Sequence, residues 1–247
     1  MNIRMKFLPD GSIIFLAAVA MEQVNAWRAL IRPTGIWYSD ILDNVVEELG
    51  RLQSPVPDQE ARAMADTLQR FYKTFIPDSE ANDFRWVEML AGRRDLPVRR
   101  DFQPVQPGDD PLDVTAIPGG MVVALENDSC FDVYGWTHTV ALRSNRKEIT
   151  LHKGDVFVYR GDLIFAPVTN DDTNNVYLHA YLDTPTSERL ENHQPVIVPA
   201  VNDTARMDDP FCFVWDCKFR AADIIGVRRH LNRFHGFRFH HTSPPEE

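Results

Sequence analysis

Four residues near the C-terminal end have the types and spacing to bind a metal ion: Cys212, Cys217, His230 and His235, in the order Cys-x4-Cys-x12-His-x4-His. Thiolate sulfur and neutral imidazole nitrogen are the donors that zinc takes in a closed tetrahedral site. The stretch "CFVWDC" is short enough to fold into a hairpin that presents both sulfurs. The stretch "AADIIGVRRHLNRFH" reads as a helix that brings His230 and His235 about one turn apart. These four residues are the expected metal ligands, and the expected metal is structural zinc.

Elsewhere the chemistry is sparser. No Ser-His-Asp or Cys-His arrangement follows from spacing, so no catalytic residue is expected. His138, His152 and His179 fall among short strand-like runs. They read as hydrogen-bonded structural histidines, the alternative being a relocated metal site with His138 across from His179. His179 shares a strand face with Tyr177, Tyr181 and Asp183. His179 and Asp183 would stand roughly 13 Å apart along that strand, too far to share one ion. Cys130 reads as a buried thiol. Arg160-Gly161-Asp162 reads as turn chemistry between buried strands.

The elements that must position these residues change character along the chain. Two short strands over residues 5–19 flank a turn at Pro9, Asp10 and Gly11. A helix is predicted over 20–31, with Val24, Trp27 and Ile31 on one side. A second is predicted over 39–52, capped by Ser39, lined by Ile41, Leu42, Val45, Val46 and Leu49, and ended by Gly50. A third runs over 58–75, with Asp58 as its cap, Ala61, Met64, Ala65, Leu68, Phe71, Tyr72 and Phe75 on one face, and Pro77 as its stop. A short fourth carries Trp86 over 82–90. The Pro- and Asp-rich stretch 101–113 reads as loop or edge strand. After Gly119-Gly120 come short strands separated by Gly, Asn and Asp turns: "MVVALE", "CFDVYG", "HTVALR", "EITLH", "VFVYR", "LIFAPV" and "VYLHAYLD". That density signals an all-β sandwich or barrel. In "VFVYR", Val156 and Val158 face one way and Phe157 and Tyr159 the other. Residues 186–210 look irregular.

Composition bounds the function. The 247 residues are 44% hydrophobic, enough for one sizeable core and a small appendage. The net charge of -10 argues against nucleic-acid binding by the whole surface. The tail differs: Lys218, Arg220, Arg228, Arg229, Arg233 and Arg238 stand against Asp223 alone over residues 218–241. Three Cys residues make no disulfide scaffold and suit a reducing compartment, so an intracellular location, cytoplasmic or nuclear, is expected. The apolar run "SIIFLAAVAM" has ten residues, too short to span a bilayer, and reads as buried structure.

The runs "PGGMVVALENDSCF", "ITLHKGDVFVYRGDLIFAPV" and "NNVYLHAYLD" resemble cupin-like proteins of the double-stranded β-helix superfamily that includes iron- and 2-oxoglutarate-dependent oxygenases. The resemblance covers residues 119–183. It implies an α+β fold: a double-stranded β-helix (jelly-roll) core, its strands over about 101–183, with N-terminal helices packed on it. Such oxygenases hold iron with two His and one carboxylate on one face of the ion. The resemblance places the distal His at Phe165, whose ring has no lone pair to give. It places the arginine that anchors 2-oxoglutarate at Val176. A His-x-Asp pair is expected before the core strands, yet residues 101–120 contain no His, and Asp109, Asp110 and Asp113 alone do not make this site. Iron and 2-oxoglutarate are therefore not expected.

The segment 210–236 resembles a C2H2 zinc finger. It departs from the pattern at Ala221, where fingers place an aromatic, and at Val227, where they place Leu. Gly226 inside the helix costs roughly 1 kcal/mol relative to Ala. The expected organisation is one region over 1–209 and a small ββα-like module over 210–241. Arg228, Arg229 and Arg233 would reach phosphates, but Ala221, Ala222 and Asp223 are a poor set for reading bases, so a protein partner is expected ahead of nucleic acid. The leading expectation is a non-catalytic β-helix protein used for binding or assembly. The alternatives are a metal-dependent dioxygenase with a rearranged site and a nucleic-acid-associated zinc-finger protein.

Overall fold

The structure is a computed structural model, and it describes residues 4–8, 11–31, 35–42, 46–92, 96–104, 118–136, 139–187, 189–190, 193–202, 212, 214, 217–221 and 224–235. Strands β1 (Arg4–Leu8) and β2 (Ser12–Leu16) form the expected N-terminal hairpin. Helix α1 (Met21–Leu30) buries Val24 and Trp27. Strands β3 (Tyr38–Leu42), β4 (Val46–Pro55) and β5 (Glu80–Met89) surround helix α2 (Asp58–Phe75) in the chain. Then come β6 (Arg99–Arg100), β7 (Gly119–Ala124), β8 (Ser129–Gly135) and β9 (Ala141–Leu142), followed by a 3-10 turn at Arg143–Asn145. The rest are β10 (Lys147–Leu151), β11 (Val156–Arg160), β12 (Ile164–Val168), β13 (Asn175–Asp183), β14 (Val196–Ile197), β15 (Ala200–Val201) and helix α3 (Ile224–His235).

Two antiparallel sheets face each other. The larger runs β1-β2-β11-β7-β13-β5-β4-β3, and the smaller runs β10-β8-β12-β6-β14. This is the double-stranded β-helix core that the resemblance implies, and a form of the all-β sandwich or barrel that the strand pattern signals. Strand alternation sorts its side chains into two layers. Val156 and Val158 of β11 join Met121, Val123, Leu178 and Leu182 on the outer face of the large sheet, where α1 and α2 cover them with Trp27, Met64, Leu68 and Phe71. Phe157 and Tyr159 turn inward to meet Phe131, Val133 and Phe165 from the small sheet.

Two of the predicted helices are strands. Residues 39–42 belong to β3 and 46–52 to β4, which pair at the edge of the large sheet. The helical reading placed Leu49 in the core and Glu48 in solvent. The structure reverses this, with Leu49 55% exposed and Glu48 1% exposed. Glu48 is buried against Arg99 and Arg51, partners that no local pattern reveals. Residues 82–89 belong to β5, between β13 and β4, and Leu90 follows its end. Phe84 and Trp86 pack outward with the α2 side chains while Val87 and Met89 point inward, which is period two and not a helical stripe. In α2, Pro57 holds the N-cap position, and Asp58 and Glu60 sit in the first turn, where their charge favours the helix N-terminus. The "HTVALR" strand shrinks to Ala141–Leu142. No described helix is long and apolar enough to cross a membrane.

The turn after β10 needs Gly154, whose φ is +90°. Gly120 is required for a different reason. It pairs with Tyr159 across β7 and β11, and a Cβ there would overlap the Tyr159 ring. The missing side chain lets the ring lie against β7 and extend its hydroxyl into the core. Gly120→Ala is expected to destabilise the protein by about 1–3 kcal/mol through overpacking. Urea unfolding measures it, and a change within about 0.5 kcal/mol, the range of neutral surface substitutions, would contradict this packing.

Candidate functional site

Two sets of side chains have chemistry to offer, one inside the sheets and one in the tail. The inner set begins at β6. Arg99 pairs with Phe165 of β12, and its guanidinium stands 5.6 Å from the centre of the Phe165 ring. Its NH1 donates to Glu48 Oε2 at 2.6 Å, joining the small sheet to the large one. Arg51 NH1 lies 3.5 Å from the same carboxylate oxygen, and Arg51 Nε donates to the Tyr177 hydroxyl at 3.3 Å. Burial works against the Arg99 charge, but Glu48 outweighs it and keeps the guanidinium protonated.

Two residues beyond Arg99, the Tyr159 hydroxyl donates to Asp101 Oδ2 at 2.7 Å. That hydroxyl also lies 3.2 Å from His179 Nε2. Tyr159 has one proton and gives it to Asp101, so Nε2 of neutral His179 must be the donor to Tyr159. The Nδ1 lone pair is then left over, and Nδ1 is buried with no partner among the described residues. His179 Nε2 is 3.7 Å from Asp101 Oδ2. His193 completes the group, with Nε2 at 2.6 Å from the Asp101 main-chain oxygen and its ring stacked on Phe102. Tyr177 and Tyr181 share the inward face with His179, as the strand pattern requires.

Several expectations change here. Val176 does not face the interior. Its side chain lies in the layer beneath the helices, so it cannot stand where a co-substrate anchor would. The interior guanidiniums come from other strands, as Arg51 and Arg99. The place for a His-x-Asp pair also moves. The strand that precedes β7 and pairs with Phe165 is β6, so the string that faces Phe165 is Arg99-Arg100-Asp101, which begins two residues before the stretch 101–120. It offers a guanidinium and a carboxylate two residues apart. Phe165 is buried between the sheets as placed. His138, Asp109, Asp110 and Asp113 lie outside the described residues. His152 is largely exposed, 3.9 Å from Asp128. Cys130 is half-buried beside Thr150, and burial raises its thiol above the ordinary range. Arg160 closes on Asp162 with bonds of 2.6 and 3.0 Å and stacks on Trp136, so this tripeptide is an internal clamp.

The tail set converges as its spacing requires. Ligand atoms of Cys212, Cys217, His230 and His235 all lie within 4.8 Å of one another. Cys217 Sγ is 3.2 Å from His230 Nε2, which is 3.1 Å from His235 Nε2. Cys212 N donates to Phe219 O and Cys217 N to Val214 O, which closes the hairpin. The two departures from the finger pattern are absorbed locally. Val227 and Leu231 are buried against Cys212, with Ala221 packed on them, and Phe219 stacks flat on His230 at 3.9 Å. Burial and the neighbouring Cys217 push the Cys212 thiol up to about 11. The donor set fits a cation, whose charge stabilises paired thiolates. Among the described residues this is the only such cluster of three or more His, Cys, Asp or Glu side chains.

The missed partners were Glu48, Arg99, Asp101 and Tyr159. The Arg99-Arg100-Asp101 spacing was available in the sequence, but the pairing that gives it meaning was not.

No family model matches the chain, and no curated protein matches it. Solved structures do match. HygX from Streptomyces hygroscopicus, with nickel, 2-oxoglutarate and hygromycin B bound, is 10% identical with a TM-score of 0.54, over 76% of this chain and 92% of that one. EvdO2 from Micromonospora carbonacea var. aurantiaca is 10% identical with a TM-score of 0.53, over 78% and 96%. The non-heme alpha-ketoglutarate-dependent carbocyclase SnoK is 13% identical with a TM-score of 0.50, over 70% and 80%. At these identities the likeness is one of fold.

Two predictions follow from the inner set. Glu48→Gln leaves the Arg99 charge buried without its partner and is expected to cost about 3–5 kcal/mol. Replacing both Glu48 and Arg99 by Met should cost less than the two single changes combined, which urea melts of all three variants decide. The second concerns pH. Burial lowers His179 below the ordinary His range, more than Asp101 raises it, and half-buried His193 shifts the same way. For Asp101, burial raises the carboxyl, but His179, Tyr159 and Arg99 outweigh it and hold it low. In each case the unfolded chain takes up the proton first, so stability falls on acidification. The His contribution is lost below about pH 6.5, at up to about 1.4 kcal/mol per pH unit for His179. That of Asp101 is lost below about pH 4. Urea melts between pH 7 and 5 should show a shallower loss in His179→Gln, and an unchanged slope would contradict the assignment.

Proposed function

We propose that this chain is a non-catalytic double-stranded β-helix protein that serves as a binding or assembly module, with structural zinc in its C-terminal tail. The observation that carries this reading is the buried Arg99 guanidinium. It stands where the oxygenase pattern has an imidazole, facing Phe165 where that pattern has another. A fixed positive charge beside Asp101 disfavours a divalent cation at that carboxylate and competes with it. Neither a guanidinium nor a phenyl ring donates a lone pair to iron.

A second reading has its own support. Asp101 and His179 are close, and the His179 Nδ1 lone pair is buried without a partner. The fold is shared with HygX, whose structure holds nickel and 2-oxoglutarate. The comparisons favour this reading, a metal-dependent dioxygenase with a rearranged site, whereas the Arg99 and Phe165 geometry favours the first. A third reading, nucleic-acid association, rests on the exposed Arg228, Arg229 and Arg233 of α3. Net acidity and the lack of base-reading side chains make an acidic protein surface the better partner for those cations.

In the tail, Cys212, Cys217, His230 and His235 would hold zinc, which supplies no reaction there and fastens the hairpin to α3. Elemental analysis of the pure protein tests both halves of the proposal. The expected result is about one equivalent of zinc, lost in Cys212→Ser, and no stoichiometric iron. Iron retained at one equivalent by both proteins, with oxidation of 2-oxoglutarate to succinate, would establish the second reading instead.

A further inference from the structure

A cleft of about 810 Å³ opens on the outer face of the small sheet, the side turned away from the polar cluster between the sheets. Strand alternation makes the two sites separate. Phe131, Val133 and Phe165 point inward, while their neighbours Asp132, Tyr134 and Ala166 line the cleft. The opposite wall is apolar, formed by Val198, Pro199 and Ala200, together with Val214 of the Cys212–Cys217 hairpin. Val214 is tied to the core by a bridge to Val201. The volume lies within the range of small-molecule sites.

Its polar floor is unbalanced. Asp132 of β8 is 7% exposed. One carboxylate oxygen, Oδ2, takes a bond from Arg146 Nε at 2.9 Å. The other, Oδ1, is buried and has no hydrogen-bond partner among the described residues. An unsatisfied buried acceptor costs about 1–3 kcal/mol, which a donor brought from outside would relieve. Ala166 is the residue opposite Asp132 on β12, and both line the cleft. On the other side, Glu148 of β10 pairs directly with Asp132. Among the described residues that line the cleft, Arg146 is the one guanidinium. Like charges paired across strands are unfavourable, and the surplus sets the sign of the ligand that this face accepts.

We infer that this cleft binds a small organic cation, an amine carried on an apolar body, with its ammonium donating to Asp132 Oδ1 and its body against Val198, Ala200 and Val214. A hydroxyl could donate to the same oxygen, but it carries no charge to meet the acidic surplus. A charge-assisted bond is roughly twice as strong as a neutral one. An anion would meet Arg146 with its Nε already engaged by Asp132 and with Glu148 beside that carboxylate. This inference is independent of whether the space between the sheets holds a metal.

The test uses the full chain and three probes of like size: phenethylamine, 2-phenylethanol and 3-phenylpropanoate. Titration followed by 1H–15N correlation spectra should show saturable shifts with phenethylamine at the amides of Asp132, Tyr134, Val198 and Ala200. The alcohol should bind about tenfold more weakly, equivalent to about 1.4 kcal/mol, and the anion should produce no saturable shift. Asp132→Asn should weaken the amine by about tenfold or more. Ala166→Phe, which fills the cleft and leaves every charge in place, should abolish binding, and it decides the matter if Asp132→Asn does not fold. Absence of saturable shifts with phenethylamine up to about 10 mM, where a fragment of this size would register, overturns the inference. So does binding of the anion as tightly as the amine, or undiminished amine binding in the folded variants.

Discussion

The interior is organised around one ion pair, Glu48 with Arg99. Glu48 comes from β4 of the large sheet and Arg99 from β6 of the small one, and both are almost fully buried. Taking two such charges out of water costs several kcal/mol each before their attraction is counted. The pair is therefore not a strong source of stability. Its effect is on geometry. A 2.6 Å bond between the sheets fixes how the short strand β6 lies against the large sheet. It holds a guanidinium over Phe165, and it sets where Asp101 begins. Arg51 and Tyr177 are drawn into the same group because the Glu48 carboxylate requires further donors. Even so, Glu48 Oε1 and Arg99 NH2 have no hydrogen-bond partner. A core designed for stability alone would use apolar side chains here.

From Arg99 the arrangement spreads by adjacency. Asp101 follows two residues on, and Tyr159 reaches it because Gly120 lacks a side chain on the facing strand. Tyr159 in turn determines which nitrogen of His179 carries the proton. Each step has one acceptable protonation state, since the low-dielectric surroundings penalise any charge without a partner. The consequence is an interior whose positive charge is covalently part of the chain. In an iron site that charge arrives with the ion, and the ligands must wait for it. The Cys and His residues of the tail are in that second condition. Two thiols and two imidazoles converge there within 4.8 Å, a donor set that a cation would hold together.

The sequence made the metal cluster and the central strands legible because both are local. Cys212 to His235 is a spacing, and "VFVYR" is an alternation, and neither needs knowledge of a distant partner. The hairpin β1–β2 and helices α1 and α2 were readable for the same reason. The failures at β4 and β5 were of one kind. Their side-chain pattern is set by residues distant in the chain: β4 buries Glu48 and Gln53 against Arg99 and Arg85, 51 and 32 positions away. A helical stripe of Ile, Leu and Val was the only local signal, and the ion pair overrode it. The same blindness put Val176 in the interior. Its strand was identified correctly, but which face looks inward depends on which sheet lies across from it.

That distinction bears on how absence should be argued for a fold such as this. A missing ligand inferred from a string of residues is only as good as the register that aligns the string. Phe165 survives the change from string to structure, because it is buried between the sheets. Val176 does not, because it belongs to the other layer. Asp101 gains its meaning only from the pairing of β6 with β12, which sets Arg99 against Phe165 and which no local string reveals. What replaces the three-part absence is a positive observation, a guanidinium and a phenyl ring facing each other across β6 and β12. A substituted site is better recognised by the group that occupies it than by the residues that are gone. Here that group is a buried cation paired with its own counter-ion, Glu48.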